Sequence, residues 1–150
     1  MTVDDPVSLV LGRKKSGDIW SVSSLATVYS ALKMMADKDV GALLVMENDQ
    51  LVGVVSERDY ARKVILLGRG SKETQVREIM TSSPITIRPE CTVDEAMRLV
   101  VTNRIRHLPV ICDGKILGII SIGDLVNWMA FAQEERIQHL ESYIQGNYPS

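Results

Sequence analysis

The sequence predicts an α+β fold built from two tandem β-α-β-β-α repeats, and three observations predict it. The phrase GVVSERD at 53–59 returns as GIISIGD at 118–124, each a glycine, an apolar pair, a serine and an aspartate three residues on. The copies stand 65 residues apart, and that offset holds without a gap from 27–59 onto 92–124. Within each copy the apolar spacing changes in the same order, from a short β-like run to helical spacing, then two β-rich runs, then helical spacing again. Identities at Thr27/Thr92, Val28/Val93, Ala31/Ala96, Leu43/Leu108, Val45/Val110, Gly53/Gly118, Ser56/Ser121 and Asp59/Asp124 tie the copies together.

The elements follow in chain order. Asp5-Pro6 reads as an N-cap with proline at the first helical position, opening a short helix through Leu11. DIWSV (18–22) and PITIR (84–88) read as the first strand of each repeat. The helices SLATVYSALKMMADKD (24–39) and CTVDEAMRLVVTNR (91–104) follow, with Ser24 and Thr92 as expected N-caps and Thr92 with Glu95 as a capping box. VGALLVM and LVGVVS then flank the turn ENDQ, and HLPVI and ILGIIS flank CDGK, whose Asp-Gly is a strong hairpin signal. DYARKVILLGRG and DLVNWMAFAQEE give the closing helices. The tail ERIQHLESYI sets Ile137, Leu140 and Ile144 along one stripe, a helix expected to pack on the body or on a second chain. The expected boundaries are 1–15 for an N-terminal helix and loop, 16–72 and 77–133 for the repeats, and 134–150 for a C-terminal amphipathic helix. One repeat leaves a sheet face bare, so the two are expected to pack their sheets together about a pseudo-twofold axis.

Composition narrows the function. At 150 residues, 45% hydrophobic and only 5% aromatic, the chain must build its core from aliphatic side chains and methionine. A net charge of −2 gives neither nucleic acid nor an anionic membrane surface a global attraction. No apolar run approaches the roughly 20 residues that span a bilayer, and MTVDDPVSL carries no export pattern, so a cytoplasmic location is expected. Cys91 and Cys112 have no metal-ligand spacing and fit free thiols in a reducing compartment. His107 and His139 lie 32 residues apart with no nucleophile beside either, so neither an enzyme nor a metal cofactor is expected.

The repeated Ser-x-x-Asp has two readings. A serine three residues before an acid at a helix start is close to a capping box. Written twice, each time after a buried strand and a glycine, it also suits a ligand: the carboxylate accepts ribose hydroxyls, and the serine with free helix N–H groups suits a phosphate. Gly53 and Gly118 either admit a ligand to the backbone or relieve strand crowding.

The paired motifs, the RHLPV before the second hairpin and the tandem repeat together resemble the CBS-domain family, named for cystathionine β-synthase, over roughly residues 16–133. SERDYARKVI, NRIRHLPVI, SIGD and ESYIQGNY are similar to small stand-alone bacterial members and their plant mitochondrial relatives. The resemblance implies a Bateman-type regulatory module that binds adenine nucleotides (AMP, ADP, ATP or NAD(H)) in clefts between the motifs and modulates a partner. It equally fits a protein-interaction module for a redox or metabolic enzyme, with a nucleotide or S-adenosylmethionine as a structural ligand.

Carried over by position, one implied pocket takes Ser121, Gly123 and Asp124, with adenine against Ile19, Trp20 and Val40 and with Arg106 and His107 toward phosphate. The other takes Ser56, Arg58 and Asp59, with adenine against Pro84, Ile85 and Ile105. Gly41 and Ala42 replace the Arg-His pair there, which leaves Arg58, with Arg62 or Lys63 behind it, to meet a phosphate. Trp20 also reads as core or interface filler, and Arg13-Lys14-Lys15 more readily as a solvated loop than as a phosphate site. A homodimer is expected through the helices that follow Ala26, Asp59, Thr92 and Asp124.

Overall fold

Turn chemistry shapes both hairpins. In the computed structural model, which describes residues 1–14 and 19–144, Asn48 and Asp49 take φ of 48° and 61°, and Asp113 and Gly114 take 50° and 78°. Two consecutive left-handed residues make the tight turn whose twist matches that of paired strands. They join β2 (Ala42–Glu47) to β3 (Gln50–Ser56) and β5 (His107–Cys112) to β6 (Lys115–Ser121). The likeness extends to an irregularity: the register slips between Val45 and Met46 in one hairpin and between Val110 and Ile111 in the other.

The chain divides into two units, one of residues 18–85 and one of residues 1–17 with 86–150. In the first, β1 (Ser21–Val22) pairs parallel to β2, and β4 (Thr81–Ser82) pairs antiparallel to β3, giving a sheet in the order β1-β2-β3-β4. Helix α2 (Val28–Lys38) buries Val28, Ala31 and Met35 against Leu43, Val45 and Val55. The second unit repeats this with α4 (Val93–Asn103), whose Val93, Ala96 and Val100 meet Leu108, Val110 and Ile120. Both helices end on a left-handed residue, Asp39 and Arg104, at matched positions.

A lead segment closes each core, and it comes from an unexpected place. Helix α1 (Val7–Arg13) belongs to the second-repeat unit: Val7 N–H donates to Cys91 O at 2.7 Å, and Val93 N–H donates to Asp5 O at 2.9 Å. The stretch before the second repeat does the same for the first, with Val76 N–H on Ala26 O and Val28 N–H on Thr74 O, both at 2.8 Å. Val7 and Val10 on one side, and Val76 and Ile79 on the other, are buried.

Several elements differ from expectation. Thr27 caps α2, accepting from Ser30 N–H at 3.1 Å, while Ser24 is turned to Glu47. The Thr92–Glu95 capping box is present. Pro6 is the N-cap of α1 itself, and that helix runs to Arg13. PITIR forms no strand: Ile87 makes an isolated bridge with Val110, and the chain before it is occupied as β4. The helix after Asp59 is α3 (Glu57–Tyr60) running into a π-helical turn, Ala61–Ile65. The helix after Asp124 and the expected tail helix are one element, α5 (Ile122–Ile144), because neither glycine nor proline interrupts 124–144. Lys15, Asp18 and residues 145–150 lie outside the described residues.

Candidate functional site

Both Ser-x-x-Asp motifs sit where a strand gives way to a helix, and each is a closed capping box. Ser121 N–H donates to Asp124 Oδ2 at 2.8 Å, and Asp124 N–H donates back to Ser121 Oγ at 3.0 Å. Ser56 N–H donates to Asp59 Oδ2 at 2.9 Å, and Asp59 N–H donates to Ser56 Oγ at 3.2 Å. The local reading is therefore satisfied, and it places each carboxylate at a helix start with only partial exposure. The preceding strand supports this geometry: Ile122 N–H reaches Arg106 O at 2.8 Å, and Glu57 N–H reaches Gly41 O at 3.1 Å.

Each aspartate also holds a lysine. Lys14 Nζ lies 2.9 Å from Asp124 Oδ2 and donates to Ile119 O at 2.8 Å. Lys63 Nζ lies 3.2 Å from Asp59 Oδ1 and donates to Ile79 O at 2.8 Å. The two lysines stand at unrelated positions of the repeat yet meet the same group. The pairs differ in one respect. Asp59 uses both oxygens, because Ser56 N–H and Oγ occupy Oδ2. Among the described residues the contacts of Asp124 fall on Oδ2.

The family model for the CBS domain matches residues 15–65 and again 76–130. The chain belongs to the CBS-domain family. It is 48% identical over 127 residues to the mitochondrial CBS domain-containing protein CBSX3 of Arabidopsis thaliana, an alignment covering 81% of this chain and 62% of that protein. This CBS pair thus spans about three fifths of the length of that relative. A CBS-domain structure from Burkholderia ambifaria MC40-6 superposes with a TM-score of 0.78 at 48% identity, covering 81% of this chain and 90% of that one. A hexameric CBS-CP12 protein from bloom-forming cyanobacteria superposes at 0.75 with 28% identity, covering 94% and 84%. CBS pairs are, as a family, regulatory ligand-binding modules.

Within this CBS pair, Ser121, Gly123, Asp124, Arg106 and His107 share the second-repeat unit, with His107 directly opposite Ser121 in the hairpin. Arg106 is exposed. Ser56, Arg58 and Asp59 share the other unit with Pro84 and Ile85, and Arg58 is exposed. Ile19, Trp20 and Val40 belong to the first-repeat unit and Ile105 to the second. Ile19 is 42% exposed, whereas Trp20 and Val40 pack partly against the first-repeat core, with Lys38 Nζ 4.2 Å over the Trp20 ring.

The motif glycines face protein. A Cβ on Gly53 would meet Met80 Sδ at 2.7 Å and Thr81 O at 2.9 Å, and one on Gly118 would meet Leu11 Cδ2 at 2.8 Å. They are the seats of the lead segments, so the crowding alternative holds within each unit. Neither thiol is activated: burial and then Glu95 push Cys91 up to about 11, and burial and then Asp113 raise Cys112. Cys91 lines an open concavity of about 520 Å³ with Ile87, Arg88, Glu90 and Glu95, away in sequence from both Ser-x-x-Asp motifs. Among the described residues no three His, Cys, Asp or Glu side chains gather as metal ligands, and no helix is long and apolar enough to cross a membrane.

The ion pairs of Lys14 and Lys63 are what sequence reasoning missed, since Lys63 was placed behind Arg58 toward a phosphate and not against Asp59. Arg13-Lys14-Lys15 reads as a basic loop, and 110 positions separate Lys14 from its partner. Lys63 had a local signal, standing four residues after Asp59 on a helix, the spacing at which opposite charges meet.

Proposed function

We propose that this CBS pair is a regulatory sensor that binds an adenine nucleotide (AMP, ADP, ATP or NAD(H)) at its two Ser-x-x-Asp sites and passes occupancy to a partner protein. The observation that carries this reading is the matched pair of partly exposed carboxylates, each fixed at a helix start beside a serine hydroxyl and a lysine. A carboxylate so held takes a ribose diol, and the neighbouring cation and helix N–H groups take phosphate. Ile19, Trp20, Val40, Arg106 and His107 complete the Asp124 site in this reading, and Pro84, Ile85, Ile105 and Arg58 the Asp59 site. Ribose binding must share or displace the lysine, and a partly exposed ion pair costs about 1 kcal/mol or less to give up. The reading assigns the chain no reaction of its own and places it in the cytoplasm.

The test is calorimetry of AMP, ADP, ATP, NAD, NADH and S-adenosylmethionine against the wild type, Asp124→Ala, Asp59→Ala and the double variant. Binding of at least one adenine nucleotide that the double variant loses supports the reading. Binding that survives both substitutions overturns the ribose role and leaves the motifs as caps alone.

The chain also assembles, in this reading, as a homodimer. Leu25, Tyr29, Ile65, Leu66, Leu67, Val101, Val126 and Phe131 are each between 45% and 75% exposed, apolar surface open to a second copy. Light scattering at micromolar concentration should return twice the 16.7 kDa chain mass, and a monomer mass rejects the dimer.

A further inference from the structure

Helix α5 carries two apolar faces, and only one has work inside the protein. Leu125, Trp128 and Ala132 are buried and face the second-repeat core. A second line runs Val126, Ala130, Gln133, Ile137, Leu140, Ile144, with steps of four, three, four, three and four residues. At 3.6 residues per turn this line is centred about 125° around the helix from the core face. Every residue on it is exposed, with Val126 at 50%, Ile137 at 48%, Leu140 at 60% and Ile144 at 81%.

We propose that this line is the seam of a parallel two-stranded coiled coil formed with a second copy of the chain. The steps are those of a heptad with Ala130, Ile137 and Ile144 at its first core position and Val126, Gln133 and Leu140 at its second. Ile137 and Ile144 at the first position with Leu140 at the second are the combination that favours two parallel strands. Charge selects the occupant and its direction. Arg136 precedes Ile137 and Glu141 follows Leu140, so in a parallel pair Arg136 of each copy meets Glu141 of the other. An antiparallel pair would set Arg136 against Arg136 and bring Glu134 and Glu141 together. A partner of the same sequence, aligned in the same direction, satisfies both flanks. The proposal deepens the dimer reading above by naming the element, the register and the direction.

The experiment uses the full chain with Cys91→Ser and Cys112→Ser, adding Ile144→Cys at the seam or Gln138→Cys on the outward face as control. Under mild oxidation Ile144→Cys should give a disulfide-linked dimer and Gln138→Cys should not. Arg136→Glu or Glu141→Arg alone should weaken linking about 5-fold, and the two together should restore it. Leu140→Lys should abolish linking while circular dichroism keeps the folded spectrum. A chain of dimer mass that fails to link at 144 overturns the coiled coil and leaves the dimer reading standing. A monomer overturns both. Linking that ignores the charge reversals or Leu140→Lys overturns the register.

Discussion

Gly53 and Gly118 are equivalent in the repeat, yet they do not stand against equal obstacles. A methyl at residue 53 runs into a backbone carbonyl, Thr81 O, as well as Met80 Sδ. At residue 118 it meets the tip of the Leu11 side chain, which can rotate away. Gly53→Ala should therefore cost about 1–3 kcal/mol in urea unfolding, as over-packing of a rigid site does, and Gly118→Ala about 1 kcal/mol or less. Equal losses would mean that Leu11 is as fixed as the β4 backbone. Cys91 makes a chemical prediction at the same scale. Its thiol is held near 11 against an ordinary 9.0, so its thiolate fraction near pH 8 is about a hundredfold lower than that of a free thiol. In a Cys112→Ser background, iodoacetamide should label Cys91 slowly at pH 8, and the rate should climb steadily toward pH 11. A rate that levels off near pH 9 would place the thiol in water.

Among the elements, α1 is the clearest case of a short helix with a structural task. Val7 is fully buried and Val10 nearly so, both in the core of the second-repeat unit. Val7→Asp puts a carboxylate there and should cost on the order of 3 kcal/mol. Hydrogen exchange should then show lost protection in β5 and β6 with β2 and β3 unchanged; loss spread evenly over both hairpins would contradict the division into units. Periodicity made the hairpins, α2, α4 and the two motifs legible in advance, and Asp-Gly at 113–114 named its turn outright. Other features were readable but outweighed. Thr27 matches Thr92 by the repeat offset, yet Ser24 looked like an equally good cap until Glu47 claimed it. The continuity of α5 was likewise written in an uninterrupted run. The strand expected at PITIR is reduced to a single bridge, Ile87 to Val110, at the position where Val22 pairs with Val45 in the other repeat. The Lys14–Asp124 contact joins distant parts of the chain, and no local spacing reports it.

For the molecule as a whole the two proposed ligand sites should be unequal. Arg106 and His107 flank the Asp124 site, while Gly41 and Ala42 hold the matching places beside Asp59. A hydrogen bond to a charged phosphate contributes about 1.5–3 kcal/mol, or roughly 10- to 150-fold in affinity. The contacts differ in the same sense, since Asp59 commits both oxygens. Asp124→Ala should remove the tighter phase of AMP binding and Asp59→Ala the weaker one; the reverse order would mean that Arg58 or Lys63 supplies the stronger phosphate contact. The lead segments carry a different consequence, one of timing. The first-repeat unit is a single run, residues 18–85, and has all its parts once residue 85 has been made. The other unit needs α1, which is made before the first-repeat unit, together with α5, which is made after it. The opening helix must wait through the synthesis of an entire neighbouring unit before its own core exists to receive it.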